Sequence, residues 1–415
     1  MDQRVVECVP NFSEGRDPAV IRRIADAVRS VEGTSLLHVD PGADANRTVV
    51  TFTGGPEAVA EAAFRAIAAA AEGIDMTRHR GVHPRLGATD VCPFVPIAGV
   101  TLEDCAELAR RVGERVGREL QIPVYLYEAA AARPERRNLA AIRQGEYEGL
   151  AEKLRDPRWA PDFGPARFNP RSGATVIGAR EFLIAYNVTL DTPDRRLAGD
   201  IALEIRQKGR PARANGETGA ILTYREGAVP CGNCPFVGPS LAATAGHCRE
   251  AHGYELAELL RLNGVDPAGP LAGQRVYRAG FPFCKAIGWY VEAYRRAQVS
   301  MNLTNYRVTP PHLVLEEVRR QAARRGTAVT GSELVGLMPY PALLEAGRYH
   351  HALRGAPSTA PVPVLLETAV RAMGLDELAP FDLTTRLLGL PGEVRRALVS
   401  RRAGPDGGRN GRTIP

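Results

Sequence analysis

Apolar residues in the first third of the chain follow two different spacings. Runs rich in β-branched residues are typical of strands and lie at 4–9, 36–40, 48–54 and 90–97. Helical spacing begins after Asp17, an N-cap residue that precedes a proline, and begins again at Pro56. The order strand–helix–strand–strand–helix–strand predicts a ferredoxin-like unit, which a helix at 101–120 and a strand at 123–128 extend.

The second half of the chain repeats this element order without repeating the sequence. Strands are predicted from 182, 286, 297 and 328, and helices at 196–209 and 311–325. We therefore predict an α+β fold with two tandem ferredoxin-like (βαββαβ) subdomains, which leave a groove for a ligand. The predicted organisation is two subdomains, a C-terminal helical extension and a disordered Arg/Gly tail, at 1–180, 181–340, 341–395 and 396–415.

Residues 210–284 belong to no element of the repeated unit, and we treat them as an insertion. The segment is too long for a structureless loop in a compact domain, which predicts a small fold of its own. It contains the cysteines Cys231, Cys234, Cys248 and Cys284, with His247 and His252 nearby. These soft ligands predict a structural zinc ion held by the four cysteines. The alternatives are an iron–sulfur cluster, a redox-active Cys-x2-Cys pair, and no metal.

Composition and charge narrow the function classes. The chain is 44% hydrophobic and 24% charged, as is usual for a folded protein, and it contains no apolar run long enough for a membrane span. Six arginines and two acids in 391–415 give +4 of the +6 net charge. No basic stripe with interleaved aromatic residues occurs elsewhere, so we expect no nucleic-acid partner. Without the pattern of a signal peptide at the start, we expect reduced cysteines and a cytoplasmic location.

The loop at 77–90, TRHRGVHPRLGATD, places two histidines four residues apart among several arginines. Glycine and proline exclude a continuous helix there. An imidazole can accept and return a proton near neutral pH, and a guanidinium binds a carboxylate through two parallel bonds. His83 is therefore a candidate general base, and Arg80 and Arg85 are candidates for binding an anionic substrate. The alternative is a solvated surface loop.

Polar residues at the ends of predicted strands form a second set of candidates. Asn11 follows the first strand, Asp40 closes the second, and Asn46 and Arg47 precede the third. Loops at strand ends converge in a repeated sheet unit, so these side chains can face His83, and an aspartate there would orient the imidazole. The alternative is that Asp40 and Asn46 only form turns.

A glycine- and proline-rich stretch, DFGPARFNPRSGATVIGARE at 162–181, precedes a predicted strand. Glycine lets the backbone approach a flat ligand closely. The stretch contains no GxGxxG pattern of the kind that opens a dinucleotide-binding helix. The alternative is a linker between the two subdomains.

Several of these segments together resemble the formiminotransferase family. They are VECVPNFSEG, VDPGADANRTV, DMTRHRGVHPRLGATDVCPF and WAPDFGP…GATVIGAREFLIAYN, followed after the insertion by KAIGWY…AQVSMNLTNY and SELVGLMP. The resemblance implies transfer of the formimino group from N-formimino-L-glutamate to N5 of tetrahydrofolate, late in histidine degradation. It also implies two ferredoxin-like subdomains and a homodimer.

The resemblance further implies roles for individual residues. His83 corresponds to the general base, and Asp40 to a polar residue of the substrate tunnel. The carboxylates of formiminoglutamate and of polyglutamated tetrahydrofolate are expected to meet Arg47, Arg80 and Arg85. Asn11 and Asn46 are expected to bind the substrate and to help orient the tetrahedral intermediate. Folate contacts are implied for Gly164, Pro165, Phe168, Asn169 and Gly173.

One position departs from the family pattern, because Ser172 stands where the animal members have an aromatic residue. Stacking on the pterin is therefore expected to be weaker or to come from another residue. Two alternative functions remain. One is formyl transfer from N-formylglutamate to tetrahydrofolate, and the other is non-catalytic folate binding by a protein with a metal-binding module.

Overall fold

A computed structural model describes residues 4–81, 83–216, 218–355 and 359–402. The chain divides into two compact units. The first runs to Phe182 and includes 335–337, and the second comprises 183–334 and the residues from 338 onward. In the described part of the chain, no helix combines the length and the apolar character that crossing a membrane requires.

The first unit contains one seven-stranded mixed sheet. Its strands are β1 (Val5–Cys8), β2 (Asn11–Phe12), β3 (Thr34–Gly42), β4 (Arg47–Gly54), β5 (Thr89–Ala98), β6 (Val124–Glu128) and β7 (Thr175–Ala179). The strand order is β1-β4-β2-β5-β7-β6, with β3 paired to β4. Strand β7 pairs in parallel with both β5 and β6, and the pairs among β1 to β5 are antiparallel.

Helices cover both faces of this sheet, with the first three on one face and the last two on the other. They are α1 (Pro18–Arg29), α2 (Pro56–Gly73), α3 (Leu102–Arg115), α4 (Leu139–Ile142) and α5 (Glu146–Lys153). The Asp17 carboxylate accepts hydrogen bonds from the first backbone amides of α1, as expected of an N-cap. The main core lies between the sheet and α1 to α3, and it includes the buried thiols of Cys8, Cys92 and Cys105. A second core, on α4 and α5, contains Tyr125 and Tyr127.

The second unit contains a four-stranded sheet with the order β13-β14-β8-β15. These strands are β8 (Ile184–Leu190), β13 (Cys284–Val291), β14 (Arg296–Leu303) and β15 (Val329–Val335). Helices α6 (Arg195–Ile205) and α9 (Pro311–Arg324) pack against this sheet. The tandem ferredoxin-like arrangement stays a prediction.

The insertion in the second unit has a small hydrophobic core of its own, which includes Tyr224, Tyr254, Leu256 and Val276. Its elements are β9 (Arg210–Pro211), β10 (Val229–Pro230), β11 (Val237–Gly238), α7 (Leu241–His252), α8 (Leu256–Leu262) and β12 (Tyr277–Arg278). Strands β9 and β12 pair with each other, so the two ends of the insertion meet.

Helices dominate the C-terminal part of the chain. The elements after β15 are β16 (Met338–Pro339), α10 (Tyr340–Leu353), α11 (Val362–Met373), α12 (Leu383–Arg386), β17 (Leu387–Leu388) and α13 (Gly392–Arg402). Helix α13 occupies 396–402, which the sequence assigned to the disordered tail. The buried side chains of Val394 and Leu398 explain the difference, because they give this segment an apolar side to pack. The rest of the predicted tail, from 403 on, lies outside the described residues.

Candidate active site and a cysteine–histidine group

Asn46 joins three loops at one end of the sheet in the first unit. Its side chain is buried; Oδ1 accepts a hydrogen bond from the Gly15 amide (3.0 Å), and Nδ2 donates to the Arg80 carbonyl (2.9 Å). Its backbone has φ of 45°, a left-handed conformation that asparagine tolerates better than most residues. Asn46 therefore holds the loop at 77–90 in place through its side chain, and its predicted contact with substrate stays a prediction.

The two histidines of this loop have different environments. His79 is buried, and its Nε2 lies 2.9 Å from the Asn46 carbonyl oxygen, while its Nδ1 lies 3.3 Å from Nε of Arg85. A carbonyl accepts and an arginine donates, so the ring is neutral and carries its hydrogen on Nε2. Burial is the main cause that lowers the pKa of His79. We infer that His79 is a structural residue.

His83 is partly buried and makes two hydrogen bonds. Nδ1 lies 2.7 Å from the Pro84 carbonyl oxygen and donates to it, which leaves the lone pair on Nε2. The guanidinium of Arg47 donates to that lone pair over 2.5 Å. Burial lowers the pKa of His83 well below its usual value, and the charges of Arg47 and Arg143 lower it further. A neutral imidazole with an oriented Nε2 lone pair is a proton acceptor.

Arg47 stands at the first residue of β4, beside His83. Burial, together with the like charge of Arg143, lowers the pKa of Arg47 to about 10, and the charges of Asp90 and Asp40 act in the opposite direction. Among the described residues, no carboxylate forms an ion pair with Arg47, whereas Arg143 is paired with the buried carboxylate of Asp90. Arg47 is therefore a cation placed to receive an anionic ligand.

The pair of Arg143 and Asp90 was not found from the sequence. Residue 143 lies in the turn after α4, and Asp90 lies on β5, where its Oδ1 also accepts from the Leu86 amide (3.0 Å). Fifty-three positions separate the two residues, so no local motif signals their contact.

Arg85 differs from the sequence interpretation, which assigned it to the substrate. Its side chain is 8% exposed and forms ion pairs with the carboxylates of Glu148 (2.6 Å) and Glu146 (3.1 Å). These bonds raise the pKa of Arg85 and occupy its guanidinium. Arg85 therefore anchors the loop to α5. By contrast, Arg80 is exposed, and its guanidinium donates to the backbone carbonyls of Thr77 and His79.

Asp40 and Asn11 lie on β3 and β2. The Asp40 carboxylate accepts a hydrogen bond from the Gly336 amide (2.8 Å), and its charge acts on Arg47. The Asn11 amide donates to the Val9 carbonyl (2.9 Å), a local hydrogen bond. Their predicted roles toward substrate stay predictions.

The glycine-rich stretch packs directly on the histidine loop. Gly173 has φ of 66°, and a Cβ there would lie 2.2 Å from the Leu86 carbonyl oxygen. Gly164 has φ of 79°, and a Cβ there would lie 2.4 Å from the Ile122 carbonyl oxygen. These two glycines thus permit one backbone segment to approach another closely, and their predicted contact with folate stays a prediction. The Asn169 carboxamide accepts from the amides of Arg171 and Ser172 and shapes the turn.

An aromatic pair borders this stretch. The rings of Phe168 and Tyr147 lie 5.5 Å apart, both partly exposed, and the Tyr147 hydroxyl donates to the Pro170 carbonyl. Pro165 is partly exposed as well. A cleft of about 490 Å³ is lined by Arg80, Gly81, Arg85, Gly145, Glu146 and Glu148. The last two of these residues flank Tyr147 in the chain. The first unit thus presents aromatic surface next to the loop that carries His83.

The candidate metal ligands differ from the four cysteines that the spacing predicted. One potential ligand atom from each of Cys231, Cys234, His247 and His252 lies within 4.8 Å of the others. Cys284 is buried at the start of β13 and is not in this group. Cys248 is buried as well, and its thiol donates to the Tyr254 hydroxyl (3.0 Å).

A sequence signal for the two histidines was present. Counting all four residues gives Cys-x2-Cys-x12-His-x4-His, a spacing characteristic of zinc sites. A count of cysteines alone misses this pattern, because it takes Cys248 as the third ligand in place of the adjacent His247.

Comparisons with known proteins decide the family. The model of the formiminotransferase domain, N-terminal subdomain, matches 5–180, and that of the formiminotransferase domain matches 248–390. A glutamate formimidoyltransferase of Streptococcus pyogenes serotype M1 is 37% identical over 84% of this chain and 93% of its own length. The chain belongs to the formiminotransferase family. The resemblance inferred from the sequence is therefore confirmed.

Two further formiminotransferase relatives have different lengths. A glutamate formimidoyltransferase of Thermoplasma acidophilum is 39% identical over 85% of this chain and 93% of its own length. The formimidoyltransferase-cyclodeaminase of Dictyostelium discoideum is 40% identical over 93% of this chain, which spans 60% of that longer protein. The two family-model matches leave out 181–247, where Cys231, Cys234 and His247 lie.

Proposed function

We propose that this chain transfers the formimino group of N-formimino-L-glutamate to N5 of tetrahydrofolate, giving 5-formimidoyltetrahydrofolate and L-glutamate. Two glutamate formimidoyltransferases matched over 93% of their own lengths support the reaction. The observation that carries the proposal is the geometry of His83, a neutral imidazole with an oriented lone pair on Nε2 beside a cation.

The proton transfers of this reaction suit a single imidazole. N5 of the pterin forms a bond to the amidine carbon and passes its proton to Nε2 of His83. The tetrahedral intermediate then loses the bond between that carbon and the glutamate nitrogen, which takes the proton back from Nε2. One neutral histidine thus acts first as general base and then as general acid. The lowered pKa of His83 keeps the base form populated at cellular pH.

Arg47 supplies the binding of an anion and a means of exposing the base. Its guanidinium donates to Nε2 of His83. A substrate carboxylate would attract that guanidinium through two parallel bonds and so free the lone pair. It would also offset the cationic field that lowers the pKa of His83, so substrate binding strengthens the base.

Tetrahydrofolate would lie along the glycine-rich stretch, with its pterin against Phe168 and Tyr147. Aromatic rings favour offset or tilted stacking, and this pair supplies the aromatic surface that Ser172 lacks. Arg80 is exposed and lines the cleft, which suits it to the glutamate tail, whereas acids of α5 already neutralise Arg85. The homodimer and the cytoplasmic location stay predictions.

The proposal is tested by replacing His83 with alanine. The kcat for formimino transfer should fall by about two to four decades, the usual contribution of general acid–base catalysis, while tetrahydrofolate binding is retained. Arg78→Ala is the matched control, since Arg78 is exposed and lies in the same loop. Near-normal turnover in His83→Ala would refute the mechanism. Assays with N-formyl-L-glutamate as donor decide between formimino and formyl transfer.

A further inference from the structure

The cysteine–histidine group of the insertion lies on a ββα motif. Strands β10 and β11 form an antiparallel hairpin in which Val229 pairs with Gly238, and helix α7 follows directly. Both cysteines lie in the turn between the two strands, and both histidines lie in the second half of the helix. This placement of two cysteines on a hairpin and two histidines on the next helix is the architecture of a Cys2His2 zinc finger.

The turn between the cysteines has the backbone of a metal-binding knuckle. Gly232 has φ of 84°, and a Cβ there would lie 2.3 Å from the Tyr277 carbonyl oxygen, so only glycine fits. The Cys231 amide donates to the Phe236 carbonyl (2.9 Å) and closes the loop. These constraints turn the side chains of Cys231 and Cys234 toward the helix.

The ligand atoms are close to the separations that a metal requires. Zinc–sulfur and zinc–nitrogen bonds of about 2.3 and 2.1 Å in a tetrahedron place ligand atoms about 3.4 to 3.8 Å apart. The Cys234 sulfur lies 3.1 Å from Nε2 of His247, and all four ligand atoms lie within 4.8 Å of one another. Nε2 of His252 is buried, and no residue in the described part of the chain forms a hydrogen bond with it.

Aromatic contacts fix the orientation of the two imidazoles. The Phe236 ring stacks on His247 with centroids 4.0 Å apart and an interplanar angle of 13°. His252 meets His247 edge to face at 5.2 Å. Two imidazoles packed in this way without a carboxylate in the group suit a soft cation, and two thiolates with two imidazoles form a closed tetrahedral set.

We propose that Cys231, Cys234, His247 and His252 bind one zinc ion, which stabilises the insertion. The four-thiolate alternative fails on geometry, because Cys284 and Cys248 both lie outside the group of mutually close ligand atoms. The Cys248 sulfur lies 3.8 Å from that of Cys231, and its thiol donates to the Tyr254 hydroxyl. An iron–sulfur cluster requires four thiolates as well.

The role of the zinc is structural. Strands β10 and β11 have two residues each, and so short a hairpin is not stable without further support. The metal would join this hairpin to α7, whose Cys248 and Thr244 reach the core of the insertion. In nucleic-acid-binding fingers the helix positions −1, 3 and 6 contact bases, and here they are Ser240, Ala243 and Gly246. These small side chains do not suit base recognition.

Metal content of the purified full-length chain tests the proposal without any need for turnover. After expression with added zinc, mass spectrometry of the metal should give one zinc per chain. Cys234→Ser and His247→Ala should each lower zinc affinity by more than about 100-fold, since removal of a ligand costs more than loss of an outer hydrogen bond. Cys248→Ala is the matched control and should keep its zinc.

Cobalt(II) alone, loaded into the metal-free wild-type chain, gives a second readout that does not depend on the folding of a ligand variant. Its visible spectrum should be that of a tetrahedral site with two thiolates, unchanged in Cys248→Ala. Zinc retained in His247→Ala and His252→Ala, zinc lost in Cys248→Ala, or no stoichiometric metal in the wild-type chain would each overturn the assignment. Loss of transfer activity in His83→Ala bears only on the proposed reaction, so the two hypotheses fail separately.

Discussion

Replacing Arg47 with glutamine removes the cation that contacts the candidate base while keeping a polar side chain at the start of β4. Arg47 donates to Nε2 of His83 over 2.5 Å and is one of the two charges that lower the pKa of this histidine. The substitution leaves burial and Arg143 as the remaining causes. The pKa of His83 should therefore rise toward its ordinary value.

The electrostatic energy involved can be bounded from this contact. Two unit charges about 4 Å apart repel by about 1 kcal/mol in bulk water and by about 4 kcal/mol at an effective dielectric of 20. His83 is partly buried, so the repulsion between a protonated His83 and the Arg47 guanidinium should lie between these two limits. Each 1.36 kcal/mol corresponds to about a tenfold change in a protonation constant, so the change is large enough to measure.

The pH dependence of kcat/KM reports this change, because the acid limb marks protonation of the essential base in the free enzyme. For the wild-type chain that limb should lie below pH 6.5, since burial and two cations lower the pKa of His83. In Arg47→Gln it should move to higher pH, while Arg47→Lys, which keeps the charge, should leave it low. NMR titration of the imidazole, assigned with His83→Ala, measures the same quantity without turnover.

Arg78→Gln is the matched control, because it removes one positive charge from the same loop at a residue that does not act on His83. Its acid limb should coincide with that of the wild-type chain. An acid limb in Arg47→Gln at the same pH as in the wild type, or at a lower one, would refute the assigned contact between Arg47 and His83.

Two further substitutions test the surroundings of the site and of the second unit. Asn46→Ala leaves the Gly15 amide and the Arg80 carbonyl without partners and places alanine at a left-handed φ. The free energy of unfolding, measured in urea, should fall by about 2 to 4 kcal/mol. A decrease under about 1 kcal/mol would contradict the role of Asn46. Burial lowers the pKa of His312 to about 4. As pH falls below about 6.5, this histidine therefore binds a proton in the unfolded chain and stays neutral in the folded chain. Stability should fall by up to about 3 kcal/mol as pH falls from 6.5 to 4, and the fall in Tm between pH 7 and pH 5 should be smaller in His312→Gln, an equal fall being the contrary result.

Local signals in the sequence were sufficient for elements whose ends and faces are set by neighbouring residues. Asp17 caps α1, and Thr101 caps α3 in a reciprocal arrangement with Asp104. By contrast, β7 was not predicted, because TVIGA follows a glycine-rich stretch and shows no alternation of polar and apolar residues. A parallel strand that is buried on both faces has no reason to alternate, and only its pairing with β5 and β6 reveals it.

The sequence by itself determined the chemistry available to this protein: the family, the loop with His83 and the cysteines and histidines of the insertion. Only the tertiary structure decided how those groups are used, since charge and hydrogen-bond partners come from residues distant in the chain. The Glu148 carboxylate, 63 positions away, forms an ion pair with Arg85, and the Asn46 carbonyl accepts a hydrogen bond from Nε2 of His79. The Nε2 lone pair of His83 is directed at Arg47. A side chain is free for a ligand only if no neighbour in the fold already satisfies it, and a linear spacing contains no record of those neighbours.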